Sequence, residues 1–263
     1  MLNMHIISLA FLQGLTEFLP ISSSGHLIIL PKLMDWPEQG VNMDISMHIG
    51  TLIAVIAYFM KDVLRAIKGV FVFRKDSTDS ALALKLIIAV IPILAVGFVL
   101  KDHIDEIRNI RLVAYMLICF GIVLYLADRF APSTRTIDSM SYRTAFFIGL
   151  AQCLSLIAGV SRSGITMTTA RLSGVKRTES AAFSMLLSIP TIGAAGLWMG
   201  YKMYSENIAL SIDMLFAILY SALFGFFAIW LLMSIVKKCS FLIFAVYRVI
   251  LGLILLAYSY DLV

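Results

Sequence analysis

The sequence predicts an all-α polytopic membrane protein, an inverted-topology repeat with about six transmembrane helices plus two re-entrant helical hairpins. Three observations predict it. The 263 residues are 60% hydrophobic and 14% charged, against roughly 25% charged in soluble domains, and the mean hydropathy is +0.94. Several apolar runs approach the ~20 residues that cross a bilayer. The third is a pair of related polar breaks in this apolar background. One runs Gln-Gly-Leu-Thr-Glu-Phe-Leu-Pro-Ile-Ser-Ser-Ser-Gly-His from Gln13; the other runs Gln-Cys-Leu-Ser-Leu-Ile-Ala-Gly-Val-Ser-Arg-Ser-Gly from Gln152. A shift of 139 positions lays Gln13 on Gln152, Ser22 on Ser161, Ser24 on Ser163 and Gly25 on Gly164. The whole chain reads as one membrane domain, with internal repeats over approximately 1–127 and 144–263.

The elements follow in order. The first segment, 2–18, stops at Pro20; a second apolar piece, 26–34, ends in the acidic, proline-containing stretch at 35–38. Neither spans a bilayer at ~1.5 Å per residue, so they form a broken span or a hairpin. Irregular backbone at this depth is tolerated only inside protein or along a cavity. Residues 43–60 read as a spanning helix, followed by a basic loop carrying Lys61, Arg65, Lys68, Arg74 and Lys75. The positive-inside rule puts that loop in the cytoplasm. Residues 82–100 cross outward, with Lys85 near the cytoplasmic end and able to snorkel, and 112–127 return toward Arg129, Arg135 and Arg143.

The second half repeats the plan. A short helix at 145–157, the polar break at 158–164 and a short return helix at 165–172 lead to Arg171, Lys176 and Arg177. Alternation then carries 181–200 outward, 212–236 inward to Lys237 and Lys238, and 241–258 outward. The two hairpins therefore enter from opposite faces, and inverted repeats of this kind hold their sites near the midplane. Ile45-Ser46-Met47 answers Phe183-Ser184-Met185 at nearly the same offset.

A net charge of +5 and a pI near 9.1 follow from basic cytoplasmic loops, so no nucleic-acid partner is needed. Cys119, Cys153 and Cys239 make neither a disulfide framework nor a metal-binding spacing. The N-terminal segment has no basic n-region or small-residue cleavage site and reads as a retained segment.

Ionisable groups at membrane depth are costly and usually functional, so the chemistry is sought in the breaks. Each opens a helix with Ser-Ser-Ser-Gly or Ser-Arg-Ser-Gly, and a helix N-terminus presents free N–H groups and a positive dipole end to an anion. Hydroxyls there can cap the helix or donate to phosphate. Arg162 offers a planar fork for phosphate; its alternative role is a structural ion pair with Glu17. Glu17 lies four residues after Gln13 on one helix face, and His26 is its expected imidazole partner. Acid, imidazole, hydroxyl and guanidinium together describe phosphoryl transfer or hydrolysis. Glu17, His26, Arg162, Ser22 and Ser23 are the catalytic candidates. Ser161, Ser163, Thr166, Gly164 and Gln13 are the phosphate-binding ones. His48 reads as a packing residue.

At these residues the chain resembles the undecaprenyl-diphosphatase family, the bacitracin-resistance membrane phosphatases. The run from Gln13 to Glu17, the following Phe-Leu-Pro-Ile-Ser-Ser-Ser-Gly-His, and Gly159-Val-Ser-Arg-Ser-Gly-Ile-Thr resemble that family's two motifs; the runs from His48 and Phe183 resemble its flanking segments. Ala158 stands where the family has proline, and Gln13 is the neutral option at its position. The resemblance implies hydrolysis of a long-chain prenyl diphosphate, undecaprenyl diphosphate, to undecaprenyl phosphate and inorganic phosphate. That reaction recycles the lipid carrier of peptidoglycan synthesis and confers bacitracin resistance. It implies a multi-pass protein of the bacterial inner membrane, a site facing the periplasm, and a divalent cation, Mg²⁺ or Ca²⁺, with Glu17 as the metal ligand. The sequence is compatible with a homo-oligomer. The rival reading is a secondary transporter or lipid flippase using the same midplane anion site.

Overall fold

The computed structural model describes residues 4–23, 25–27, 30, 34, 36, 40–74, 76–100, 109–205 and 210–260. Ser24, Lys75, the acidic positions Asp35 and Glu38 and the outer loop at 101–108 lie outside the described residues. In chain order come α1 (Met4–Phe18), α2 (Val41–Tyr58), α3 (Met60–Phe71), α4 (Thr78–Leu100), α5 (Ile110–Phe130) and α6 (Tyr142–Gln152). A 3-10 turn (Cys153–Leu156), α7 (Arg162–Leu172), α8 (Arg177–Ser205), α9 (Ile212–Lys238) and α10 (Leu242–Ser259) follow. Among the described residues the only β contact is an isolated bridge between Arg135 and Val175, so the fold is all-α as expected.

Five of these helices, α4, α5, α8, α9 and α10, are long and apolar enough to cross a membrane; the bent pair of α2 and α3 makes six. By contrast α1 has 15 residues and α6 and α7 have 11 each. At ~1.5 Å per residue they rise roughly 22 and 16 Å, well short of the ~30 Å hydrocarbon core. They are the arms flanking the two breaks.

One expectation is corrected. Lys61, Arg65 and Lys68 do not lie in a loop. The chain turns by 88° at Phe59 into α3, an amphipathic helix with Leu64, Ile67, Val70 and Phe71 exposed. Its charged side faces Asp79 at the start of α4: Arg65 Nε donates to Asp79 Oδ1 at 3.1 Å, and its Nη1 to Asp62 Oδ1 at 3.1 Å. A short helix with one apolar and one charged face lies along an interface rather than across it.

The contacts pair up between the halves. α1 lies along α9 and α6 along α4, while α2 meets α8 and α5 meets α10. Exchanging α1 with α6, α2 with α8, α4 with α9 and α5 with α10 returns the same pairs, the pattern that two related halves produce. Helices in lipid gain no hydrophobic drive toward one another, so close approach depends on small residues. A Cβ on Gly50 of α2 would clash with Ser221 Oγ of α9, and one on Gly149 of α6 would clash with the Ala89 carbonyl of α4. The largest buried cluster, which includes Phe18, Phe183, Met185, Leu187 and Ile229, lies between the arms and these helices.

One end of the bundle is tied by charge. Asp128 of α5 accepts from Arg171 Nε of α7 at 3.0 Å, from Arg177 Nε of α8 at 2.9 Å and from the backbone N–H of Phe241 at 2.8 Å. Lys85 does not snorkel into water: its ammonium donates to the carbonyls of Ile137 and Asp138, each at 2.8 Å. This is the end that the basic residues assign to the cytoplasm. In a cysteine-free background, Arg74→Cys and Arg143→Cys, both exposed, are expected to react only with reagent on the cytoplasmic side. Asp35→Cys and Arg108→Cys are expected to react only from outside. Labelling of Asp35→Cys and Arg74→Cys from one face would mean that α2 does not cross.

Candidate active site

Both breaks form the same way. Pro20 lacks the N–H that would extend α1, and the chain leaves through Ser22 at φ 77°. In the second break the 3-10 turn runs into Gly159 at φ 94° and then Ser161 at φ 70°. Among the described residues, Ser22 and Ser161 are the only non-glycine residues with positive φ, and they are partners under the 139-residue shift. A left-handed L-residue costs roughly 1–2 kcal/mol. The Ser hydroxyls offset part of that cost by capping. Ser161 Oγ accepts from the Gly164 N–H at 3.1 Å at the start of α7, and Ser22 Oγ accepts from the Gly25 N–H at 3.4 Å.

The two breaks dock on each other. Ser163 Oγ donates to the Leu19 carbonyl at 3.0 Å. Arg162 Nη2 donates to Glu17 Oε1 at 3.1 Å while its Nη1 donates to the Ser184 carbonyl at 3.0 Å. Glu17 Oε2 accepts from Ser23 Oγ at 2.8 Å and from Gln13 Nε2 at 3.1 Å. Thr166 Oγ1 meets Ser184 Oγ at 2.7 Å and accompanies the Arg162 anchor from behind.

Burial sorts the ten sequence candidates. Gln13, Glu17, Ser22, Ser161, Ser163, Gly164 and Thr166 are buried; Ser23, His26 and Arg162 are partly open. Ser163 and Thr166 spend their hydroxyls on protein carbonyls and Ser184, so they hold the site in shape rather than offer a free donor to phosphate. Gln13 Oε1 and both side-chain heteroatoms of its counterpart Gln152 are buried without a hydrogen-bond partner.

The expected contact between Glu17 and His26 is not formed. His26 Nδ1 donates to the Ser22 carbonyl at 2.7 Å and its Nε2 meets Tyr247 Oη of α10 at 2.6 Å. Nδ1 faces a carbonyl and carries the proton, so Nε2 of the neutral ring accepts from the tyrosine. The imidazole facing Glu17 belongs instead to His48 of α2, whose Nε2 lies 3.7 Å from Glu17 Oε2. His48 Nδ1 lies 2.7 Å from the Asp44 carbonyl. His48 therefore presents an N–H to Glu17 only as imidazolium. His48 was read from the sequence as packing, because its partner is 31 positions away and nothing local marks it. Tyr247 and Arg248 are absent from the sequence reading, and Ser184 enters it only within the Phe183-Ser184-Met185 repeat match. Arg248 carried a signal, a lone cation in the middle of an apolar span.

The donor set bears on a metal. Glu17 accepts hydrogen bonds at both oxygens, from Arg162 at Oε1 and from Ser23 and Gln13 at Oε2. Among the described residues no group of three or more His, Cys, Asp or Glu could hold an ion. The described residues build no resident metal centre.

Compared with known proteins, residues 6–254 match the family model described as bacitracin resistance protein BacA. The chain is 45% identical over 263 residues to the undecaprenyl-diphosphatase of Roseobacter denitrificans, covering 98% of each chain. It is 44% identical over 252 residues to that of Desulforudis audaxviator, covering 94% of each. It is 43% identical over 257 residues to that of Campylobacter curvus, covering 96% of this chain and 97% of the other.

Proposed function

Because the chain belongs to the bacitracin resistance protein BacA family, we infer that it is a membrane phosphatase that hydrolyses undecaprenyl diphosphate to undecaprenyl phosphate and inorganic phosphate. The alternative of a secondary transporter or flippase finds no support among the relatives, which are named as phosphatases. The observation that carries the mechanism is the Ser23–Glu17–Arg162 chain of hydrogen bonds at the junction of the two breaks.

Ser23 is partly exposed and bonded to a carboxylate. Glu17 Oε2 is placed to take the Ser23 proton as Oγ attacks the terminal phosphorus. The bond from phosphorus to the bridging oxygen breaks, and undecaprenyl phosphate leaves with that electron pair. Water then cleaves the phosphoserine and inorganic phosphate departs. Arg162 opposes the charge gathering on the phosphoryl oxygens, and the N-terminus of α7 adds its positive end. His26, with Nε2 released from Tyr247, serves as base for the water.

The residues build no cage, so a divalent cation, Mg²⁺ or Ca²⁺, would be carried by the phosphate oxygens of the substrate, which suits an ion that keeps most of its waters. The periplasmic sidedness of the site and a role in recycling the peptidoglycan carrier belong to the same reading. Purified protein in detergent is expected to release phosphate from undecaprenyl diphosphate. EDTA is expected to suppress that release without unfolding the protein, and added Mg²⁺ or Ca²⁺ to restore it. No phosphate release under any cation would overturn the reading; full activity in EDTA would remove the cation.

A further inference from the structure

Arg248 lies outside both motifs and plays no part in the mechanism above, yet it is the largest fully buried side chain, with no exposed surface. Among the described residues no acidic group is a hydrogen-bond partner of it; every partner is a backbone carbonyl. Nη2 donates to Gly159 at 2.9 Å, Val160 at 3.0 Å and Met116 at 3.4 Å, Nε to Leu117 at 3.3 Å, and Nη1 to Pro20 at 3.3 Å. Three of those carbonyls belong to the breaks. A break frees carbonyls from the helix ladder, and at membrane depth there is no bulk water to satisfy them. One guanidinium does so for both breaks at once.

We propose that Arg248 is a positioning residue for hydrolysis, setting the first serine-bearing turn in register with the second. The geometry supports this on both sides. Pro20 precedes Ser22 by two positions, while Gly159 and Val160 immediately precede Ser161, so the clamped carbonyls adjoin the two left-handed residues. Nη1 also lies against Gly164, where a Cβ would stand 2.9 Å away. The contact falls on the backbone of α7 two residues from Arg162. Five donors in a rigid planar fork can hold carbonyls on several sides, and a lysine ammonium cannot. The planar fork, more than the charge, is what this position needs.

The proposal rests on the phosphatase reading, so wild-type phosphate release is the baseline; its absence would defeat that reading and not this one. Arg248→Lys is to be compared with Gly121→Ala. The second variant leaves the arginine in place, but its new Cβ would lie 3.1 Å from Arg248 Cβ and 3.2 Å from the Ala245 carbonyl, so the arginine's backbone must shift. Misplacement of reacting groups by about 1 Å costs on the order of 100-fold, so Arg248→Lys is expected to lose roughly that much in kcat. KM for undecaprenyl diphosphate is expected to stay within about threefold, because uniform binding is untouched. Gly121→Ala is expected to show the same split at roughly three- to tenfold. A role in stability alone would lower the unfolding midpoint and leave kcat per folded molecule unchanged. Wild-type kcat in either folded variant, or a raised KM at constant kcat, overturns the proposal. If Arg248→Lys fails to fold, Gly121→Ala decides.

Discussion

Arg162→Lys is expected to reduce phosphate release at saturating substrate by at least about a hundredfold, the scale of losing a principal charge-stabilising group. The guanidinium is stretched between Glu17 Oε1 and the Ser184 carbonyl, and its side chain is 11% exposed. A lysine keeps the charge but occupies a single point. It can meet the carboxylate or the phosphate, not hold the plane that addresses both. The Glu17 ion pair survives in that variant, so the protein is expected to fold. A well-folded Arg162→Lys protein with near wild-type turnover would make Arg162 a structural partner of Glu17 only.

Glu17→Gln carries the second large effect. The carboxylate takes hydrogen bonds from Arg162, Ser23 and Gln13 and faces His48. An amide keeps the shape but turns two donors toward groups that are themselves donors and leaves Arg162 uncompensated. Breaking a buried pair on one side costs about 3–5 kcal/mol, which should appear as a lower unfolding midpoint. Turnover is expected to fall by roughly a thousandfold, since the proton of Ser23 loses its acceptor. The decisive measurement is the cycle with Ser23→Ala. If the two act in one proton transfer, the double variant falls no further than the worse single one. Losses that multiply would mean that Glu17 serves the site without touching the serine.

The sequence made the breaks legible because Glu17, Pro20, the serines and Arg162 are expensive in an apolar chain, and expense is visible residue by residue. The likeness of the two breaks was legible for the same reason, and Ser22 and Ser161, which the 139-residue shift superposes, share a left-handed backbone. What escaped was partnership. His26 and Glu17 are near in sequence and both ionisable, so they were paired. The chain instead sends His26 to α10 and brings His48 in from α2, contacts spanning 221 and 31 positions that no local spacing encodes. The right-angle turn at Phe59 escaped because it has neither proline nor glycine. Only the change from the apolar C-terminal half of α2 to a two-faced helix marks it, and the basic residues draw attention away from that periodicity.

The knot around Asp128 has a mechanical consequence. One carboxylate joins α5, the end of α7, the start of α8 and the entry to α10, so those ends cannot part without stripping several charged bonds from a buried acid. Compliance is therefore unequal along the bundle: the end held at Asp128 is the stiffer one, and loss of that single acid would release four segments together.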